Sequence, residues 1–335
     1  MATEQYFAPI LPWQQSAWQQ FIRQSKQQQL PHGILAAGVA GVGKRDFVWK
    51  MVGYLLCATP SDVGACGQCE QCQWLQAGTH PDLLVLPSSS ALGADGEIQN
   101  IKIEDIRYLQ EFAQTTSKGV RVIVLDRADS LTLAAANALL KTLEEPRSGV
   151  FLLLISDYPA RLLPTIKSRV QLLPLLPVDQ QIATQYLSQE MSVEQARQLL
   201  RLTDGAVLTA KALSEQAWFG LRATWLATVV ALINQSRTPM AASEYWQTTL
   251  SLEQFCRLSR MMIADLYRVL LGLPSLHDDL SVAQKLDGLP ISTAYLQDLL
   301  ACFDEVQNDG EQNIQEKFAY DRLMVQFANT PVYHR

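Results

Sequence analysis

Val122-Ile123-Val124-Leu125-Asp126, followed by Ala136-Asn137-Ala138-Leu139-Leu140-Lys141-Thr142-Leu143-Glu144-Glu145-Pro146, decides how this chain folds. The first run is short, wholly apolar and largely β-branched, which is the composition of a strand covered on both faces. It ends in Asp126, so a carboxylate stands at the strand's C-terminal tip, the edge of an open α/β sheet where ligands bind. The second run predicts a helix with Ser130 or Thr132 as N-cap, Leu139, Leu140 and Leu143 on one face, and Pro146 as its stop.

A strand tipped by an acid is half of a phosphate site, and the other half lies upstream. Gly38-Val39-Ala40-Gly41-Val42-Gly43-Lys44-Arg45 follows the apolar run Gly33 to Ala37 and opens a helical stretch from Asp46 to Leu56. Strand, glycine-rich loop and helix are the context a phosphate loop requires. Gly38, Gly41 and Gly43 let backbone N–H groups turn inward, and Lys44 would meet the outer phosphates. The pattern then calls for a magnesium-ligating hydroxyl, where the chain has Arg45. After Asp126 it calls for a glutamate to polarise water, where the chain has Arg127. Both changes put a cation where metal or water chemistry would occur, which reads as a nucleotide fold without its own hydrolysis.

Hydrophobic residues make up 48% of the 335, and charged residues 18%, as in an ordinary folded protein long enough for two or three domains. The formal charge of -6 argues against a chain that grips DNA unaided. Met1 to Tyr6 has neither a basic segment nor an apolar core of a secretory signal. The apolar stretch Phe219 to Ile233 is interrupted by Arg222 and is too short for a membrane span, so a cytoplasmic location without membrane contact is expected. No carboxylate constellation for nucleotidyl transfer is apparent.

Four of the six cysteines cluster: Cys57, Cys66, Cys69 and Cys72. Two-residue spacers bring neighbouring thiolates onto one tetrahedral ion, and a fourth thiolate closes the shell against water. Structural zinc is the expected cofactor, with a redox triad beside a core Cys57 as the competing reading. Further strands are predicted at Asp82–Leu86, Val150–Ile155 and Val170–Leu173, with helices at Glu104–Gln114 and Arg161–Ser168 and a loop over Ser88–Gly96. Pro174 and Pro177 mark a linker. Three short helices fit Val178 to Ser214, and apolar stripes at helical spacing continue from Glu215 onward. Asn308-Asp309-Gly310 reads as a turn before a last helix carrying Phe318, Leu323, Met324 and Phe327.

The block Ala136 to Pro146, with Thr165 and Ser168-Arg169, resembles the clamp-loader branch of the AAA+ proteins. The resemblance implies a RecA-like parallel-sheet α/β domain over 1–175 with a zinc module at 57–72. It further implies a helical lid over 176–214 and an all-α collar over 215–335. Arg169 matches the arginine finger that such subunits project into a neighbour's ATP site, with Val170 standing where the motif has cysteine; helix capping or an ion pair with Glu144 or Glu145 is the plainer alternative. Asp157 stands where the family senses the outer phosphate, and Leu208 where motor subunits carry arginine. The resemblance therefore points to a non-hydrolysing subunit with weak or no ATP binding. Its implied partners are motor (gamma/tau) and delta subunits in a hetero-oligomeric ring, with the sliding clamp and primer-template DNA reached through that ring. The competing reading, an active ATPase motor of the same fold, rests on the intact Gly43-Lys44 pair.

Overall fold

A computed structural model describes residues 5–87, 100–115, 119–310 and 316–329. The Ser88–Gly96 loop expected above lies outside the described residues. Contacts divide the chain into one compact unit of residues 1–193 with 203–210, and a second of 194–202 with 211–335.

The first unit is built on five parallel strands: β1 (Gly33–Ala37), β2 (Leu83–Leu86), β3 (Arg121–Leu125), β4 (Val150–Ser156) and β5 (Gln171–Leu172), in the order β2-β3-β4-β1-β5. Strand side chains alternate between two apolar layers. Ile34, Ala36, Val122, Val124, Leu153 and Ile155 pack with helices α1 (Gln15–Lys26) and α2 (Lys44–Leu56). Leu35, Ile123, Leu125, Leu152 and Leu154 face helices α4 (Ile103–Gln114) and α5 (Leu133–Glu144), whereas α3 (Glu70–Ala77) belongs to the cysteine-rich insertion after α2. All five residues of β3 are buried, as a run without polar alternation demands.

Thr132, not Ser130, caps α5, its hydroxyl accepting from the Ala135 N–H. Leu139 and Leu143 are buried one helical turn apart, while Leu140 is half-buried beside them. The helix expected over Arg161–Ser168 is shorter: a 3-10 turn at Pro159–Arg161 precedes α6, Pro164–Lys167. Pro164 explains the late start, since its missing N–H is tolerated only in a helix's first turn and the residue before it is pushed to extended backbone. Helices α7 (Gln180–Leu187), α8 (Val193–Leu202) and α9 (Val207–Ser214) follow.

The remaining helices are α10 (Arg222–Ile233), α11 (Pro239–Thr249), α12 (Leu252–Leu270), α13 (Val282–Leu286), α14 (Thr293–Gly310) and α15 (Glu316–Ala328). Their stripes meet in an aromatic core that includes Trp225, Trp246, Phe255, Phe303 and Phe327. Two expectations need correcting. Residues 308–310 continue α14 instead of turning, and Phe318 is 61% exposed on α15, off the face that buries Leu323, Met324 and Phe327. No single helix among the described residues is long and apolar enough to cross a membrane.

Leu139→Ala should lower unfolding stability by about 2–5 kcal/mol, whereas Leu133→Ala on the exposed side of the same helix should change it by less than about 0.5 kcal/mol. Urea denaturation compares the two; equal losses would contradict the assigned face.

Candidate functional site

The site lies at the C-terminal edge of the sheet, where β1 leads into the glycine loop and β3 and β4 end in acids. Gly38, Gly41 and Gly43 have φ of 135°, 82° and 78°, conformations that side chains avoid, so the loop has the left-handed turns of a phosphate cradle. Lys44 then begins α2.

Lys44 is buried, and its ammonium donates to the carbonyls of Gly38 (2.8 Å) and Val39 (2.6 Å). It also lies 2.7 Å from Asp157 Oδ1. Arg45 reaches back across the loop, its Nε donating to Asp126 Oδ1 at 2.9 Å and one terminal nitrogen to Asp157 Oδ2 at 3.0 Å. Two cations and two carboxylates thus close on one another. Burial pushes the Asp157 carboxyl up, but Lys44 and Arg45 outweigh it and hold the group below the usual carboxylate range. Desolvation likewise pulls Arg45 down, and the charges of Asp126 and Asp157 more than restore it. Arg45 is therefore an internal counter-ion to the strand acid. Arg127 begins the turn after Asp126 with φ of 67°.

Further residues fix the loop from outside, and of these sequence reasoning singled out only Leu208 as bearing on the site. Trp13 Nε1 donates to the Val42 carbonyl at 3.0 Å, and the buried Gln14 amide donates to the carbonyls of Val42 (3.1 Å) and Gly43 (3.0 Å). A Cβ on Gly43 would fall 2.6 Å from Leu11 and 2.7 Å from Gln14. One on Gly38 would meet Leu176 at 2.0 Å, and one on Gly41 would meet the Thr209 hydroxyl at 1.9 Å. The Leu208 N–H donates to the Gly41 carbonyl at 2.8 Å, so this residue touches the loop through its backbone. Only the burial of Gln14, which no local pattern announces, would have marked it.

Arg169 is elsewhere, at the N-terminal side of β5. Its guanidinium pairs with Glu144 at 2.6 Å and donates to the Thr165 carbonyl at 3.1 Å and the Ser168 hydroxyl at 3.3 Å. The side chain is 35% exposed and its partner 49%. This is the ion pair named above as the plainer alternative, and it joins the end of the Ala136–Pro146 block to the Ser168-Arg169 motif.

Cys57, Cys66, Cys69 and Cys72 come together with their sulfurs all within 4.8 Å of one another. Cys57 ends α2 and Cys69 caps α3, so two helix termini and the turn between them set the cluster. The Cys57–Cys69 and Cys66–Cys72 sulfur pairs are 3.9 Å apart, close to the ~3.8 Å edge of a tetrahedron with metal–sulfur bonds of ~2.3 Å. A hydrogen bond from the Thr59 side chain and the backbone N–H groups of Gln68 and Cys69 lower the Cys66 thiol to about 5, whereas burial pushes the Cys57 and Cys72 thiols up, so a metal would displace their protons on binding. The four cysteines fit a metal ion.

A model of the family described as DNA polymerase III, delta subunit, matches residues 13–179. The delta' subunit of DNA polymerase III from Pseudomonas aeruginosa is 38% identical over 74% of this chain and 76% of its own length. The Escherichia coli delta' subunit is 31% identical over 73% and 76%. Among solved structures, a gamma subunit-related protein of DNA polymerase III from Thermotoga maritima aligns over 93% of this chain and 99% of its own, at 16% identity and a TM-score of 0.37. With identities above 30% over three quarters of these relatives, the chain belongs to the DNA polymerase III delta' family.

Proposed function

We propose that this chain is a non-hydrolysing clamp-loader subunit of DNA polymerase III, assembling with motor (gamma/tau) and delta subunits in a hetero-oligomeric ring that loads the sliding clamp onto primer-template DNA. The observation that carries the reading is the closed set Lys44, Arg45, Asp126 and Asp157: the groups that would act on phosphate, metal and water act on each other. Transition-state stabilisation needs charges aimed at the reacting phosphoryl group. The active-motor alternative has the glycines and Lys44 in its favour, and Lys44 is already engaged. Within this reading the domains are 1–175, the lid 176–214 and the collar 215–335. The location is cytoplasmic, and the chain has neither polymerase chemistry nor, alone, ATP turnover.

Arg169 serves in trans as the arginine finger of this subunit. Its ion pair with Glu144 is partly exposed on both sides and so contributes at most about 1 kcal/mol. That cost is small beside the ~10³–10⁵ in rate, about 4–7 kcal/mol of transition-state stabilisation, that a finger supplies. Structural zinc, held by Cys57, Cys66, Cys69 and Cys72, completes the module between α2 and α3. It organises a loop that has little apolar core of its own.

The purified chain should release no phosphate from ATP above background, with or without magnesium; brisk turnover by the chain alone would end the non-hydrolysing reading. In the assembled loader, Arg169→Ala should lower DNA- and clamp-stimulated ATPase by at least about tenfold with assembly intact. Unchanged ATPase would remove the finger role. Metal analysis should find about one zinc per chain, and Cys72→Ser should lose it and lower the melting temperature. A metal content near zero in chain purified without chelator would refute the assignment.

A further inference from the structure

We propose that Asp157 is a built-in occupant of the glycine loop: its carboxylate takes the position toward Lys44 and Arg45 that a phosphate group would take, and this one side chain keeps polyphosphates out. The inference deepens the non-hydrolysing reading, on which it rests for the identity of the loop.

The geometry is that of a ligand. The two carboxylate oxygens divide between two cations, Oδ1 at 2.7 Å from the Lys44 ammonium and Oδ2 at 3.0 Å from the Arg45 guanidinium. Two oxygens of one phosphate would divide in the same way between a loop lysine and its neighbour. Oδ1 is buried against the Lys44 ammonium, which also donates to the Gly38 and Val39 carbonyls. The pairing is one of charge, which any anion could replace.

Asp157 is also held in place independently of the cations. It follows the last residue of β4, and its N–H donates to Asp129 Oδ1 at 3.0 Å. The Gly38 N–H bonds to the Ser156 carbonyl at 3.2 Å, which sets the loop's start beside the strand end bearing the acid. The carboxylate therefore acts at an effective concentration that a dissolved anion must exceed.

Charge balance decides the outcome. Lys44 and Arg45 are matched by Asp126 and Asp157, so the loop offers a free anion no net attraction. Removing the Asp157 charge takes away the carboxylate 2.7 Å from Lys44 and shifts the balance toward the cations, while Asp126 and Asp129 stay and the glycines already have their left-handed turns. Arg45 stays with Asp126, so the position for a metal-ligating hydroxyl is still missing, and binding is expected without hydrolysis.

The test compares the full-length chain with Asp157→Asn, Asp157→Ser and Lys44→Ala/Asp157→Asn. Tripolyphosphate and ATP are titrated by calorimetry, and melting temperature is followed at millimolar ligand. Both single variants should bind at least about tenfold more tightly than the unmodified chain and be stabilised by ligand, and the added Lys44→Ala should abolish the gain. Equal affinity of the unmodified chain, or no gain in folded single variants, overturns the proposal. So does loss of folding in both variants that polyphosphate does not restore. Phosphate release by the single variants, alongside tighter binding, would uphold the occupant role while counting against the view that Arg45 and Arg127 have removed hydrolysis. The two ideas can thus fail separately.

Discussion

Lys44 is a buried ammonium, and what surrounds it constrains everything at the sheet's C-terminal edge. An unpaired buried charge costs several kcal/mol, so the chain must supply acceptors from within. It does so from two elements, carbonyls of the loop after β1 and Asp157 after β4; Arg45, which shares Asp157, is met in turn by Asp126 after β3. Parallel register brings these together. Ala37 pairs with Ser156, so β1 and β4 end level, while Leu125 pairs with Leu154, so β3 ends two residues short of β4 and Arg45 spans the step between Asp126 and Asp157. The charge set consequently ties α2 to two strand tips, and Trp13 and Gln14 pin the loop from its other side. A loop held from both sides behaves as a structural joint.

Arg45 and Arg169 show how environment separates two arginines of equal charge. Arg45 faces two acids and is held between strand tips. Arg169, itself no more exposed than Arg45, has one carboxylate, on a helix end, and that partner is 49% exposed where the two acids facing Arg45 are 26% and 17%. Water screens the second pair and leaves its guanidinium fork free to exchange partners at small cost. The first pair cannot be released without leaving Lys44 and Asp157 under-compensated. One arginine therefore suits an internal role and the other an external one.

Much of this was legible in residues alone. Val122–Leu125 and Val150–Ile155 declared strands because runs without polar alternation have nowhere to go but a doubly covered sheet, and the first is buried throughout and the second from Leu152 onward. The cysteines declared a cluster because two-residue spacers fix their reach. Other features depend on partners distant in sequence. That Arg45 turns back onto Asp126 and Asp157 requires contacts 81 and 112 residues away, and Gln14 is explained only by carbonyls 28 and 29 residues on. Residues 308–310 read as a turn from composition, yet α14 runs through them, the packed stripe upstream overriding weak local propensity. Phe318 looked like core because helical spacing constrains a face only loosely at a helix's first turn, and there it points outward.

The all-helical unit raises the same question of what makes a packing unique. Its apolar stripes could interdigitate in more than one register, since leucine and phenylalanine faces are similar. Arg222 removes that freedom. Its guanidinium lies 4.0 Å from the Phe219 ring centre, pairs with Asp279 at 2.8 Å and donates to His277 Nδ1 at 2.8 Å. Burial, aided by Arg222, lowers the pKa of His277, which keeps the ring neutral and able to accept. Asp265, also buried, accepts from the Ser275 hydroxyl and the Leu276 N–H and thereby fixes the segment that carries His277. Shifting α10 by one residue would strand these groups unpaired, at a cost of about 1–3 kcal/mol for each neutral partner and more for the ions. The arginine that interrupts the apolar stretch Phe219–Ile233 is thus what selects one arrangement of the helices around it.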